Sequence, residues 1–141
     1  MPGLNPLIIS KINEANNLYK DGDIDGAVKS YITILDELDE APGGRYKSTE
    51  ARLIVMSLYK IYFSREDFLL AKKWAEEAFK FDVPERATSE LINLGAAHLK
   101  LGEFNEAYEC FLKAYEKGNQ RAFREEDPVN RHGFNRHLRV I

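Results

Sequence analysis

Three segments of this 141-residue chain share one pattern, and the repetition limits the architectures open to it. They span residues 22–31, 66–75 and 102–111. Each begins with a short polar turn and an apolar residue, places an alanine three residues later, and has an aromatic or small residue four positions after that. A repeat of roughly 34 residues built in this way is typical of stacked helical hairpins, and proteins made of such units mostly bind other proteins.

Apolar residues recur at helical spacing along six segments, which predicts an all-α protein with no strand. Turn residues separate the segments at 21–23, 41–44, 64–67, 82–84 and 101–102. Pro6 is well placed to begin the first helix, and Ser48 to cap the third. The apolar stripes of the fourth and sixth helices include Phe79 and Phe104, which are therefore expected to face inward.

Size and composition favour one soluble domain. The chain is 44% hydrophobic and 30% charged, with a formal net charge of −3, which gives no general attraction to nucleic acid or to a membrane surface. No apolar run approaches the roughly 20 residues of a membrane span, and the first residues lack the features of a secretion signal. The single cysteine, Cys110, cannot form an internal disulfide, so we expect a reducing compartment, most simply the cytoplasm.

Residues 119–141 differ in charge from the rest of the chain. This tail has five arginines, no lysine and three acids, for about +2, whereas residues 1–118 carry about −5. We expect it to cap the last hairpin, because the end of a helical stack otherwise leaves an apolar face uncovered. Two alternatives remain open: the tail folds back into a binding groove, or it docks on a second copy and makes a homodimer.

The repeats resemble the tetratricopeptide repeat, whose consensus places Trp, Leu, Gly and Tyr in a first helix and Ala, Phe, Ala and Pro in a second. The third copy matches best, with the set Leu91, Leu94, Gly95, His98, Gly102, Phe104, Ala107, Phe111 and Ala114. The resemblance implies a right-handed α-solenoid of three hairpins, at about 8–39, 50–83 and 87–118, followed by a C-terminal capping segment.

Two departures from an even repeat stand out. Ala27 and Ala71 are 44 residues apart, but Ala71 and Ala107 only 36, so the first connection holds extra residues near 41–47, as a loop or as longer helices. In the second copy Tyr59 replaces a small residue, and Ala75 replaces an aromatic one. We expect Tyr59 to fill the space left at Ala75, since cores tolerate exchanges that conserve volume.

The resemblance also implies a concave groove lined by the first helix of each hairpin. The family's groove positions correspond here to Ile9, Ile12, Asn13, Asn16, Tyr19 and Lys20, then Leu53, Met56, Ser57, Lys60, Phe63 and Ser64, and finally Ser89, Ile92, Asn93, Ala96, Leu99 and Lys100. This largely apolar surface with a few amides and lysines suits an amphipathic helix or an extended apolar peptide. An alternative is that Ile12, Leu53 and Leu99 belong to the core.

One branch of the family holds the C-terminal carboxylate of a chaperone with lysine, arginine and asparagine. The matching positions here are Ile12, Asn16, Ser57, Ser89 and Asn93, of which only Asn16 fits. Since capture of a carboxylate needs convergent cations, we expect no binding of a chaperone tail through that clamp.

No sequence signature of an enzyme, a metal site or a cofactor site is present. His132 and His137 are five apart and would not share a helical face, and Asp21, Asp23 and Asp25 imitate a calcium loop only at its start. We expect an adaptor that binds a peptide or helix of a partner protein in the groove. The alternatives are a small secretion-type chaperone that shields apolar cargo and, against the net negative charge, a nucleic-acid accessory protein that uses the arginine-rich tail.

Overall fold

A computed structural model describes residues 5–82 and 88–118, and its helices follow one another as three hairpins. The first hairpin consists of α1 (Pro6–Lys20) and α2 (Ile24–Glu40), the second of α3 (Thr49–Ser64) and α4 (Phe68–Glu77), and the third of α5 (Ser89–Lys100) and α6 (Phe104–Gly118). Short 3-10 turns lie at Arg45–Lys47 and Ala78–Lys80. Over these residues the protein is all-α, as predicted, with no strand. The tail at 119–141 and both of its histidines lie outside the described residues.

Polar side chains begin four of the six helices. Asn5 accepts hydrogen bonds from the amides of the first turn of α1, where Pro6 is the first residue. Asp23, Ser48 and Asp67 accept from one backbone amide each in the first turns of α2, α3 and α4. These bonds satisfy amides that have no partner within their helix, so the helix starts can be read from local sequence.

The turns within the hairpins share a left-handed residue. It is Gly22 in the first hairpin, with φ of 90°, and Gly102 in the third, with φ of 77°. The second hairpin has Glu66 at this position, with φ of 61°. A side chain with a Cβ is strained in this conformation, so the second turn carries a local cost that the other two avoid.

Polar contacts align the first helices of the three hairpins. The backbone amide of Asn5, before α1, donates to Oε1 of Glu50 in the first turn of α3, at 2.9 Å. Arg52 of α3 pairs with Glu90 in the first turn of α5. At the other end, Arg65 bonds Asp25 and Lys72 bonds Glu103, both at 3.1 Å. The amino-terminal ends of α1, α3 and α5 therefore lie side by side, and these helices run in the same direction.

The extra residues of the first connection form mainly a loop. After α2 ends at Glu40, the chain turns through Gly43 and Gly44, both with positive φ, into the 3-10 turn. There Arg45 bonds Asp39 at 2.7 Å and Glu77 at 3.1 Å. The neighbouring Tyr46 donates its hydroxyl to Glu77 and packs against the Phe81 ring, 5.1 Å away. The insertion is thus fastened to the end of the second hairpin.

The buried apolar residues form three clusters along the stack. The largest wholly buried side chains are Leu35, Val55, Ile54, Leu58, Ile92 and Phe111. Tyr59 and Ala75 are both buried in one cluster with Ala71 and Ala97. Two inward expectations were wrong. Phe79, in the 3-10 turn that follows α4, is 43% exposed, and Phe104, the first residue of α6, is 54% exposed.

Candidate functional site

A cavity of about 290 Å³ opens where the carboxy-terminal half of α1 meets α3. Its lining residues are Asn16, Tyr19, Lys20, Tyr31, Ser57, Lys60 and Ile61; we call this site the lysine pocket. Lys20 and Lys60 are exposed, and neither forms an ion pair within the described part of the chain. No carboxylate lines the pocket, although the helical body as a whole is acidic.

Hydrogen bonds inside the pocket orient its polar groups. The Tyr31 hydroxyl donates to Oδ1 of Asn16, which leaves the Asn16 amide group as a donor toward the cavity. Burial raises the pKa of Tyr31, and a hydrogen bond with Ser57 opposes part of that rise. The phenol is therefore neutral around pH 7. With the two lysine ammonium groups, the site presents mainly donors and positive charge, an arrangement that favours an anion.

An apolar surface continues from the lysine pocket toward the amino-terminal ends of α1 and α3. Leu53 is 49% exposed, so it is not a core residue, and Ile9, Ile12 and Met56 are partly buried. Ile12 packs at the edge of the main core. Leu53 and Lys60 are seven residues apart on α3, two helical turns, and thus share a face. The α1–α3 face, as we call this surface, has an apolar half and a cationic half.

The structure brings five of the predicted groove residues into the lysine pocket: Asn16, Tyr19, Lys20, Ser57 and Lys60. Asn13 is exposed on α1 outside the pocket, and Phe63 is partly buried against Tyr59 and Phe68. On α5, Ser89 and Lys100 are exposed and Asn93 is half-buried, but none of the three lines the pocket.

The assignment of Ile92 to an open groove was wrong. Its side chain is wholly buried in a cluster with Ala107, Phe111 and Ala114 of α6. The adjacent Leu99 also packs against this cluster. Gly95 leaves room for the Phe111 ring of α6, and Ile92, one turn before Gly95 on the same face of α5, packs in the same cluster as Phe111. The third hairpin therefore offers less apolar surface than the first two.

Sequence reasoning missed Tyr31 and Ile61 as pocket residues. Tyr31 lies on α2, the second helix of its hairpin, at the aromatic position that ends the first repeat segment, and it is buried, with 3% exposure. A tyrosine at a buried aromatic position nevertheless carries a hydroxyl that needs a partner. That hydroxyl reaches between α1 and α3, and it is the signal that could have identified the residue.

A larger depression, about 620 Å³, lies between α1 and α2 and has a different chemistry. Its charged residues are mixed in sign, and Lys11 and Glu37 pair across it at 2.7 Å. Its lining has two lysines and three acids, for a net charge of −1, whereas the lining of the lysine pocket carries +2. Nowhere in residues 5–82 and 88–118 do three metal-ligating side chains converge, and no helix there is long and apolar enough to cross a membrane.

Comparisons with known proteins agree with this architecture. Residues 89–119 match the sequence model of the tetratricopeptide repeat. A solved structure of the C-terminal tetratricopeptide-repeat domain of an FK506-binding protein of Plasmodium falciparum is 20% identical, with a TM-score of 0.64, over 94% of this chain and 87% of that one. The first such domain of Spaghetti (RPAP3), bound to the HSP90 peptide SRMEEVD, is 16% identical, with a TM-score of 0.64, over 97% and 95%. A search of curated proteins gave no match.

The sequence match to the tetratricopeptide repeat covers residues 89–119, and the two solved structures share the fold of this chain. The third hairpin carries the repeat in its sequence, and the whole described body has the fold of three such repeats. Domains of this kind are typically binding modules for other proteins and not catalysts.

Proposed function

We propose that this protein is an adaptor that binds a peptide or a short helix of a partner protein along the α1–α3 face. The observation that carries the proposal is the convergence of Asn16, Tyr19, Lys20, Ser57 and Lys60 on one open cavity. These residues come from two hairpins, so a bound segment would contact both. The exposed Leu53 offers an apolar anchor, and the lysine pocket on the same face offers hydrogen-bond donors. Peptide-binding grooves combine these two features.

The structural likeness to the domain that holds the HSP90 peptide adds support for a peptide ligand, but this chain differs from a carboxylate clamp at the matching positions. Ile12, Ser57, Ser89 and Asn93 supply no cation there. The peptide SRMEEVD is therefore expected to bind weakly, and not through its C-terminal carboxylate. A clamp would require both Asn16 and a free C-terminus; loss of binding on amidation of that peptide, together with loss in Asn16→Ala, would contradict this expectation.

Site-directed photo-crosslinking in the native host tests the adaptor function. A photoreactive phenylalanine analogue replaces Leu53 on the α1–α3 face or, as a matched control, Ile32, an exposed apolar residue of α2 that is 37% exposed and outside the pocket. We expect a discrete crosslinked protein at position 53 and none at position 32. Identical patterns at both positions, or no product at position 53, would show that this face is not a partner site.

A further inference from the structure

We infer that the lysine pocket recognises an acidic side chain within the partner segment, a determinant that the repeat pattern did not predict. This inference rests on the proposed function and deepens it. Lys20 and Lys60 come from different hairpins, yet both border one cavity of about 290 Å³. The cavity is large enough for a carboxylate side chain together with the backbone that carries it.

The donor inventory of the pocket argues for an anion. Oδ1 of Asn16 already accepts a hydrogen bond from the Tyr31 hydroxyl, so the Asn16 amide hydrogens remain as donors. The other donor side chains that line the cavity are Tyr19, Ser57, Lys20 and Lys60. A carboxylate accepts from all of these, whereas a neutral amide or an apolar side chain would leave the cations unpaired.

Charge complementarity also distinguishes an outside partner from the chain's own tail. The pocket carries two positive charges and no lining carboxylate, and residues 119–141 carry about +2. In the sequence, the three acids of the tail, at 125–127, directly follow Arg124 and come within six residues of Arg121. Like charge therefore disfavours the tail as the occupant, and an acidic segment of a partner is favoured.

The position of Leu53 sets the spacing of the partner's determinants. Leu53 and Lys60 are seven residues apart on one helix, which corresponds to about 10 Å along its axis. An extended peptide rises about 3.3 Å per residue. A segment lying along α3 would thus place an apolar residue about three positions from the acidic one.

A library of random decapeptides, acetylated at one end and amidated at the other, tests the inference, because every carboxylate in it is a side chain. The full-length protein is immobilised, and bound peptides are sequenced. The test variant is Lys20→Met with Lys60→Met. The matched control is Lys29→Met with Lys113→Met, which removes the same charge from exposed positions that do not line the lysine pocket.

Bound peptides should be enriched in Asp and Glu for the native protein and for the control, and not for the test variant. For one selected peptide, either replacement of its acid by the amide or the double lysine variant should weaken binding about tenfold, as expected for a hydrogen bond to a charged group. If peptides bind without acid preference, or if the preference survives in the test variant, the inference fails while the adaptor function stands. If no peptide binds, both fail.

Three further results would reassign the pocket and overturn the inference as stated. One is selective binding of acid-free peptides that have an uncapped C-terminus, which would identify a chain terminus as the ligand. Another is a capped peptide of residues 119–141 that binds as tightly as the selected peptides. The last is a self-associated form in solution that the double lysine variant abolishes, which would indicate a second copy of this chain.

Discussion

The Phe111 ring of α6 lies directly against the backbone of Gly95 in α5. A Cβ added at Gly95 would be 2.5 Å from Cε1 of Phe111, and Phe111 is itself only 2% exposed. This contact requires a close approach of the two helices of the third hairpin, and Ile92, one turn before Gly95, is buried in the same cluster as Phe111.

Gly95→Ala should therefore destabilise the protein despite the better helix propensity of alanine. We expect a loss of about 1–3 kcal/mol, the usual cost of overpacking a filled core, measured by urea unfolding. Phe111→Leu alone should also destabilise, by opening a cavity. In the double variant the two effects should sum to less than their separate costs, and strict additivity would contradict a direct contact.

Replacement of Glu66 by glycine should stabilise the second hairpin turn. The left-handed conformation costs a non-glycine residue roughly 1–2 kcal/mol, which glycine would remove. Glycine also gives the unfolded chain more conformational freedom, and this opposes the gain by about 0.4–1 kcal/mol. We expect a net gain of about 0.5–1 kcal/mol in thermal or urea unfolding. Gly102→Glu, the reverse change at the matching turn of the third hairpin, should destabilise the protein. If Glu66→Gly destabilised the protein and Gly102→Glu stabilised it, positive φ would not be the cause.

Loss of Arg52 should cost more stability than neutralisation of Glu90. Nε of Arg52 donates to Oε1 of Glu90 at 3.1 Å, and the Glu90 side chain is only 3% exposed, against 27% for that of Arg52. Oε2 of Glu90 is buried and has no hydrogen-bond partner among the described residues. Arg52→Met thus leaves a buried charge and should cost about 3–5 kcal/mol. In Glu90→Gln the arginine can turn toward water, and we expect about 1–2 kcal/mol.

The order of these two costs, measured by urea unfolding, is the test. A double-mutant cycle gives the coupling energy, which should be favourable. An Arg52→Met variant no less stable than Glu90→Gln would show that Glu90 finds its compensation elsewhere.

Glu77 should stabilise the folded protein at neutral pH, and this stabilisation should be lost in acid. Partial burial acts to raise its pKa, but hydrogen bonds from Lys80 and Tyr46, with the charges of Lys80 and Arg45, outweigh that effect, so its pKa is lowered from the usual 4.5. A carboxyl with a lowered folded-state pKa stabilises the fold above about pH 4.5. That stabilisation is lost as the pH falls from there through the lowered folded-state value.

Glu77→Gln should accordingly cost about 1–2 kcal/mol at pH 7, and the difference from the native protein should shrink below pH 4.5. Glu76→Gln is a matched control, because it removes the same charge from an exposed position without the bonds that Glu77 accepts. A stability difference for Glu77→Gln that stays constant from pH 7 to pH 3 would refute the linkage.

Tyr59→Ala should destabilise the protein by about 3–5 kcal/mol, since Tyr59 is 6% exposed and shares a buried cluster with Ala75. If Tyr59 fills the space that an aromatic residue would otherwise take at Ala75, adding Ala75→Phe should recover part of the loss. Thermal unfolding of the single and double variants measures this. A double variant less stable than Tyr59→Ala would show that the two positions do not share one space.

Much of the fold followed from local sequence. The periodic apolar stripes, the capping residues Asn5, Asp23, Ser48 and Asp67, and the turn glycines each act within a few residues of the chain. Their effect does not depend on the rest of the molecule. Six helices in three hairpins could therefore be predicted, whereas the groove positions Asn16, Ser57 and Lys60 on α1 and α3 were predicted from the family resemblance.

Other features depended on how the hairpins stack. Only the tertiary structure placed Lys20 and Lys60 at one cavity and brought the Tyr31 hydroxyl within hydrogen-bonding distance of Asn16. It also buried Ile92 in the cluster between α5 and α6. Likewise, only the tertiary structure brought Arg45 and Tyr46 into hydrogen bonds with Glu77. The physical reason is that periodicity specifies the direction of a side chain from its own helix axis. The distance to a side chain on another helix is set by interhelical packing, to which residues distant in sequence contribute.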